Sequence, residues 1–410
     1  MIRLRNLAAA CGLALGALSV GTFVTPSVVQ AAEQFSAAVG KPLKAAQDAI
    51  KGKQWNVALE RLKEAQAVPN KKPHEQYAID QLLAYVHYTQ KRYGDAAAAY
   101  ERMIESGQMP AAEVPTQTKT VAQLYFQLKD YDKSIKWAKA SLEKNANQQD
   151  VQVMLAQSYY LKKDYKSAID AMSKAVSMAE RAGQTPKEDN LRVIQASHRE
   201  LGNKDGTLDV LKKLVRYHQK PEDWDALLDL YSKKDHSDRV QLGYYRLMLE
   251  ANVLKRPADY VETAQLAMDA QLPAEAQAVV EKGIAAGVLK SDDKATQGKY
   301  DRLLEGTKKR VAENKTQLQQ LIKDAAASSQ GQADVLLGQT YMSYGQYDEA
   351  IAALQRGLQK GGVEDPDEAQ IALGLAYLRK GQKDQARQAF RAVKKESQWA
   401  DLAELWTLRV

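Results

Sequence analysis

The side chains that could do chemistry in this chain are few and dispersed. The five histidines, His74, His87, His198, His218 and His236, form no His-Glu-x-x-His and no paired ligand spacing, so they suggest no metal site. The single cysteine, Cys11, has no partner for a disulfide. There is no Gly-rich phosphate loop and no Gly-x-Ser-x-Gly elbow. Asp and Glu are plentiful, but on charged helices they make solvated faces. Catalysis requires a nucleophile, a base and an orienting group together, and the sequence offers no such set. The pattern points away from an enzyme and calls for no cofactor.

What recurs instead is tyrosine at regular intervals. Val121-Ala122, Tyr125, Tyr131 and Ser134-Ile135 form one copy of a pattern. Leu155-Ala156, Tyr159, Tyr165 and Ala168-Ile169 form a second, and Leu337-Gly338, Tyr341, Gly345, Tyr347 and Ala350-Ile351 a third. The first two copies are 34 residues apart, the period of a stacked helix–turn–helix unit. Good helix formers dominate, and apolar residues return at three- and four-residue steps. Aligned on the loop tyrosine or its equivalent, about ten units centre near Trp55, Tyr93, Tyr131, Tyr165, Lys204, Ser237, Pro273, a blurred unit within 294–329, Tyr347 and Lys383. In each unit a small residue such as Ala168 permits a close helix crossing, and Met172 and Ala175 face the next unit. One unit cannot bury its stripe alone, so neighbours must stack. The expected fold class is all-α, a helix–turn–helix solenoid. Trp399, Leu402, Ala403 and Trp406, spaced i, i+3, i+4 and i+7, predict a C-terminal capping helix.

The chain opens with features of an export signal. Arg3 and Arg5 precede an uncharged, mostly apolar run over Leu7–Val24, Pro26 breaks it, and Val29-Gln30-Ala31 fits a signal-peptidase site. Residues 1–31 are therefore expected to be a cleaved signal peptide and the protein periplasmic. A retained anchor is the alternative. A lipoprotein at Cys11 is disfavoured because most of the apolar run follows the cysteine. No other stretch has the length of a membrane span. The net charge of +7 is a mild bias over this length, so nucleic acid is not an expected partner. The expected divisions are 32–289, an N-terminal solenoid with divergent middle repeats; 290–330, charged, poor in aromatics and free of proline, a candidate for longer helices and for a joint between two solenoid halves; and 331–410, a repeat pair with its cap.

These motifs resemble the tetratricopeptide (TPR) repeat. Trp224, Leu227 and Tyr231 carry the resemblance in one unit; Leu337, Gly338, Tyr341, Gly345, Tyr347 and Ala350 carry it in another, and Leu373, Gly374, Tyr377, Gly381 and Ala386 in a third. It is strong at 77–180 and 331–395 and weaker at 187–330, where Thr207 and Val240 replace the small residue of the second helix and Pro273 the loop tyrosine. His87 falls where other units carry tyrosine, so it reads as a packing residue.

The resemblance implies that first helices line a groove through their ninth, twelfth and thirteenth positions. That mapping selects Tyr88, Gln123, Phe126, Gln127, Gln157 and Tyr160, with Arg192 and Arg199 near the groove in the following unit. Rings beside amides suit an extended peptide, whose apolar side chains meet rings and whose backbone meets amides. The same rings could equally pack along the inner helices. Gln123 and Gln157 stand where TPR domains that clamp a carboxylate place asparagine, which speaks against such a clamp.

A narrower resemblance is carried by Gly40-Lys41-Pro42-Leu43, by Leu62-Lys63-Glu64-Ala65-Gln66-Ala67-Val68-Pro69-Asn70 and by Ser343-Tyr344-Gly345-Gln346-Tyr347-Asp348-Glu349-Ala350-Ile351. These are similar to exported TPR proteins described as components of the TonB energy-transduction system. It implies a non-catalytic, protein-binding adaptor whose partners include TonB-system subunits. The alternative is a scaffold for envelope assembly, serving outer-membrane protein or polysaccharide export machinery. An enzyme acting on cell-wall glycans would need a carboxylate pair in a pocket, for which the repeats offer no host.

Overall fold

The loop residues decide where each helix starts. Tyr93, Tyr131, Tyr165 and Tyr347 are each the first residue of a helix, as are Trp55, Lys204, Pro273 and Lys383. Ser237 is the cap just before one. Two residues ahead of each of the eight starts, the backbone takes a positive φ: Lys53, Lys91, Lys129, Lys163, Gly202, Gln271, Gly345 and Gly381. That residue ends the preceding helix. Around Lys129, its amide donates to the Phe126 carbonyl and the Asp130 amide to the Tyr125 carbonyl, both at 3.0 Å, the pattern of a Schellman helix end. Asp130 and Asp164 then accept from the Lys133 and Ser167 amides and cap the next helix.

The computed structural model describes residues 35–410 except Lys233, so the expected signal peptide and Cys11 lie outside the described residues. Among the described residues there are twenty helices and no strand. In chain order the first are α1 (Ala37–Lys51), α2 (Trp55–Ala67), α3 (Pro73–Thr89), α4 (Tyr93–Glu105), α5 (Val114–Gln127), α6 (Tyr131–Lys144), α7 (Gln149–Leu161), α8 (Tyr165–Arg181) and α9 (Glu188–Glu200). Next come α10 (Lys204–His218), α11 (Pro221–Ser232), α12 (Asp238–Glu250), α13 (Pro257–Asp269), α14 (Pro273–Ala285) and α15 (Lys294–Ala327). The last are α16 (Gln332–Ser343), α17 (Tyr347–Lys360), α18 (Pro366–Arg379), α19 (Lys383–Arg391) and α20 (Ala400–Arg409). The chain divides into two compact units, with the boundary between Thr207 and Leu208.

In the first unit the substantial contacts run between successive helices and between alternate first helices, as α5 with α7. Ala168, Met172 and Ala175 are fully buried, as their repeat positions require. Polar groups add to the stacking. Glu101 of α4 accepts from the Tyr125 hydroxyl at 2.7 Å and from the Trp137 indole at 2.6 Å, and so ties one hairpin to both helices of the next. Burial pushes the Tyr125 phenol up, and Glu101 adds to that shift.

The second unit is tied from end to beginning. α20 packs on α19 and also on α12. Trp399, Leu402, Ala403 and Trp406 are all buried, and Trp406 stacks on Phe390 at 6.0 Å. At Gly243 of α12 a Cβ would lie 2.3 Å from Leu402 Cδ2, so glycine lets the Leu402 methyl seat directly against the helix and any larger residue would displace it. Polar links surround the contact. Lys212 pairs with Glu404 at 2.8 Å, Lys234 with Asp401 at 2.7 Å and Arg379 with Glu250 at 2.7 Å, while Arg409 donates to the Glu250 carbonyl. The predicted cap therefore does more than cover the last repeat; it also holds the helices near the unit's start.

The compact-unit boundary falls at 207/208, ahead of the 290–330 segment. The blurred unit within 294–329 is the single 34-residue helix α15, inside the second unit, a longer helix of the kind its charged, proline-free stretch allows. Its Gly298 and Gly306 stay out of the left-handed conformation that terminates the other helices, and no proline interrupts it. One face, including Leu318, Leu321 and Ile322, packs against the following pair.

Candidate functional site

The amide and ring positions come from hairpin geometry. Each first helix ends at its Schellman turn, so the residue five before the next helix start lies beside that start. Tyr88 thereby meets Tyr93 at 5.8 Å, Phe126 meets Tyr131 at 5.9 Å and Tyr160 meets Tyr165 at 5.7 Å. All three pairs are edge-to-face, a geometry aromatic quadrupoles favour. The three rings are half-buried. They pack within their own hairpins and still present part of each ring to solvent. Burial raises the Tyr88 phenol above its ordinary value.

Gln123 and Gln157 lie one helical turn before Phe126 and Tyr160, on α5 and α7, which touch. Both are half-buried, and neither side chain has a hydrogen-bond partner among the described residues. Each leaves a donor and an acceptor to offer. Gln127 is exposed at the end of α5.

The basic residues expected next to the groove fare differently. Arg192 is half-buried and donates to Glu188 at 2.9 and 3.2 Å and to Gln195 at 3.2 Å. Its charge is thus committed within its own helix, because an acid four residues earlier lies on the same face. Arg199 is exposed and occupies the repeat position of Tyr88, Phe126 and Tyr160, where the aromatic ladder stops.

One further feature escaped the sequence reading. Asp80 and Asp334 both lie thirteen residues before a loop tyrosine, and Arg102 and Arg356 both lie nine after it. Both carboxylates are buried; Arg102 reaches Asp80 at 2.6 Å, and Asp334 meets Arg356 at 2.6 Å and Lys360 at 2.7 Å. The shared offset in the two units was the available signal. These pairs pin first to second helix and leave no free acid for chemistry. Among the described residues no group of three or more His, Cys, Asp or Glu is placed to hold a metal ion. No helix among them is long and apolar enough to cross a membrane.

Comparison with known proteins gives the class. The Tetratricopeptide repeat family profile matches residues 43–110, 121–185 and 335–399. Those three segments are tetratricopeptide repeats, and the packed helix pairs of the all-α fold are consistent with a solenoid scaffold of a kind used for protein interaction. Solved structures similar to parts of it include MamA AMB-1, at 15% identity and a TM-score of 0.31, covering 43% of this chain and 97% of that one. Another is YrrB, described as a TPR protein with an unusual peptide-binding site, at 12% identity and a TM-score of 0.32, covering 44% and 86%. Likeness at that level decides nothing about function. No curated protein sequence matches the chain significantly.

Proposed function

We propose that the protein is a non-catalytic, periplasmic adaptor that holds an extended peptide segment of a partner protein along the first helices of its first unit. The observation that carries the reading is the pairing of unsatisfied amides with partly open rings. Gln123 and Gln157 have no internal partner, and Phe126 and Tyr160 stand one turn away on the same helices. Amides of this kind exchange hydrogen bonds with a peptide backbone, and the rings give apolar side chains a surface. Tyr88 extends the row by one hairpin. With Arg192 paired to Glu188 and glutamine standing at 123 and 157, a partner recognised through backbone and apolar groups fits better than one recognised through a terminal carboxylate.

The finer reading places this adaptor beside the TonB energy-transduction system, on the strength of the motif resemblance at 40–43, 62–70 and 343–351. The test is affinity capture from crosslinked cells with the wild-type protein and with the F126A/Y160A variant. Capture of TonB-system subunits by wild type and their loss with the variant is the expected result. Recovery of outer-membrane assembly or polysaccharide export subunits instead would favour the envelope-assembly scaffold. Intact-mass measurement of the exported protein tests the location, with cleavage after Ala31 expected.

A further inference from the structure

We propose that a second site, on α15 of the second unit, binds an acidic segment of a partner protein. A cleft of about 430 Å3 lies between the end of α13 and the middle of α15. Arg302, Lys309 and Arg310 line it together with Met268, Leu303 and Gly306. Arg302, Gly306, Lys309 and Arg310 are spaced i, i+4, i+7 and i+8, which places them along one face of the helix.

Two of the three cations there are uncommitted. Arg239, Arg246, Arg256, Arg356 and Arg379 of the same unit each meet a carboxylate within 3 Å. Arg302 and Lys309 have neither an ion pair nor a side-chain hydrogen bond among the described residues. Glu313, the one acid lining the cleft, lies 3.7 Å from Arg310 in an exposed pair and offsets that cation only. The cleft therefore carries a surplus of positive charge.

Gly306 has no structural reason to be glycine. A Cβ there would meet nothing within 4 Å, and φ is not positive. Glycine is a poor helix former, so its presence in mid-helix weakens α15 while baring the cleft floor. The floor then admits a main chain close to the helix. Met268 and Leu303 give the cleft an apolar wall that a mineral anion would not use. Carboxylates for the cations and apolar side chains for the wall together describe an acidic peptide.

This inference shares the adaptor reading of the protein but uses different residues, so either can fail alone. The experiment measures fluorescence anisotropy of a short labelled peptide of alternating Glu and Leu, with full-length protein at low and at physiological salt. R302Q/K309Q is expected to weaken binding about tenfold or more, and salt to weaken it for wild type. G306L, whose side chain projects into open space, is expected to block the peptide with melting unchanged or raised. F126A/Y160A is expected to bind this peptide normally, which separates the two sites. Wild-type affinity in R302Q/K309Q would overturn the proposal, as would equal binding of a Lys-for-Glu peptide. Binding of phosphatidylglycerol vesicles without binding of the peptide would also overturn it and assign the cleft to a lipid surface.

Discussion

The same repeat position has opposite fates in the two units. Gln123, Gln157 and Gln339 all lie eight residues before a loop tyrosine. In the first unit Gln123 and Gln157 are half-buried with free amides. In the second, Gln339 is buried and donates to Glu368 at 3.1 Å, and Glu368 also receives Arg239 at 2.9 Å. The repeat supplies the same amide in both, and what the next first helix brings beside it decides whether it remains available, Glu368 of α18 in the case of Gln339. A hairpin motif therefore specifies a side chain's place on its helix but not its solvent exposure.

Breaking the closure should give the largest effect. Trp406→Ala removes a fully buried indole at the contact between α19 and α20 and should cost about 3–5 kcal/mol. Denaturant unfolding followed by hydrogen exchange should show the loss in α10–α20 and spare α1–α8. Loss of protection across both units alike would mean that they unfold together and that the contrast is only geometric.

Next in size is the repeated ion pair. Asp334→Ala discards a fully buried carboxylate that meets two cations, whereas Asp80→Ala discards one that meets a single arginine. Arg356 is about half exposed, so the cations left behind can reach water, and the cost should fall to about 1–2 kcal/mol instead of the full penalty for a stranded buried charge. Asp334→Ala should be the more damaging of the two, as read by urea midpoints. The groove variant F126A/Y160A should cost a similar amount per ring, about half the value for a core aromatic, since each ring is half-buried. Its partner binding should fall much further than its stability.

A smaller effect tests the turns. The left-handed residue is Lys129 in one hairpin of the first unit and Gly345 in the second unit. A side chain in that conformation costs about 1–2 kcal/mol, so Lys129→Gly should raise the melting temperature and Gly345→Ala should lower it, each by up to about 1 kcal/mol equivalent.

Local features were legible in the sequence because they are set by a few neighbouring residues. The tyrosine period located the helix starts, and Pro273 in place of tyrosine still opens a helix because its missing N–H is not needed there. Asp365 caps α18 by accepting from the Asp367 and Glu368 amides, a bond set by residues two and three places on. The 294–329 segment blurs the period because it holds no helix-ending residue, and its charged, proline-free run forms one long helix. What could not be read was pairing at long range: Gly243 against Leu402, Gln339 against Glu368, and the commitment of Arg192 to Glu188 in preference to a ligand. Each depends on what an unrelated helix, or an equally plausible near neighbour, brings to the site.

The last and smallest test uses a position where the first unit departs from the tyrosine of its neighbouring repeats. His87 stands where Tyr125 and Tyr159 stand in the next hairpins. Its ring is largely buried, and that burial lowers its pKa; Asp95, 3.9 Å away, opposes the shift, while Arg92 and Arg102 reinforce it. A histidine whose folded pKa lies below the unfolded value of about 6.5 takes up its proton more readily once unfolded. Its folded state is therefore fully favoured above that pH and loses stability as pH falls through it toward the folded pKa. His87→Tyr would restore the repeat residue and should flatten this part of the stability–pH curve. A variant that keeps the wild-type slope between pH 7 and 5 would assign the titration to another group.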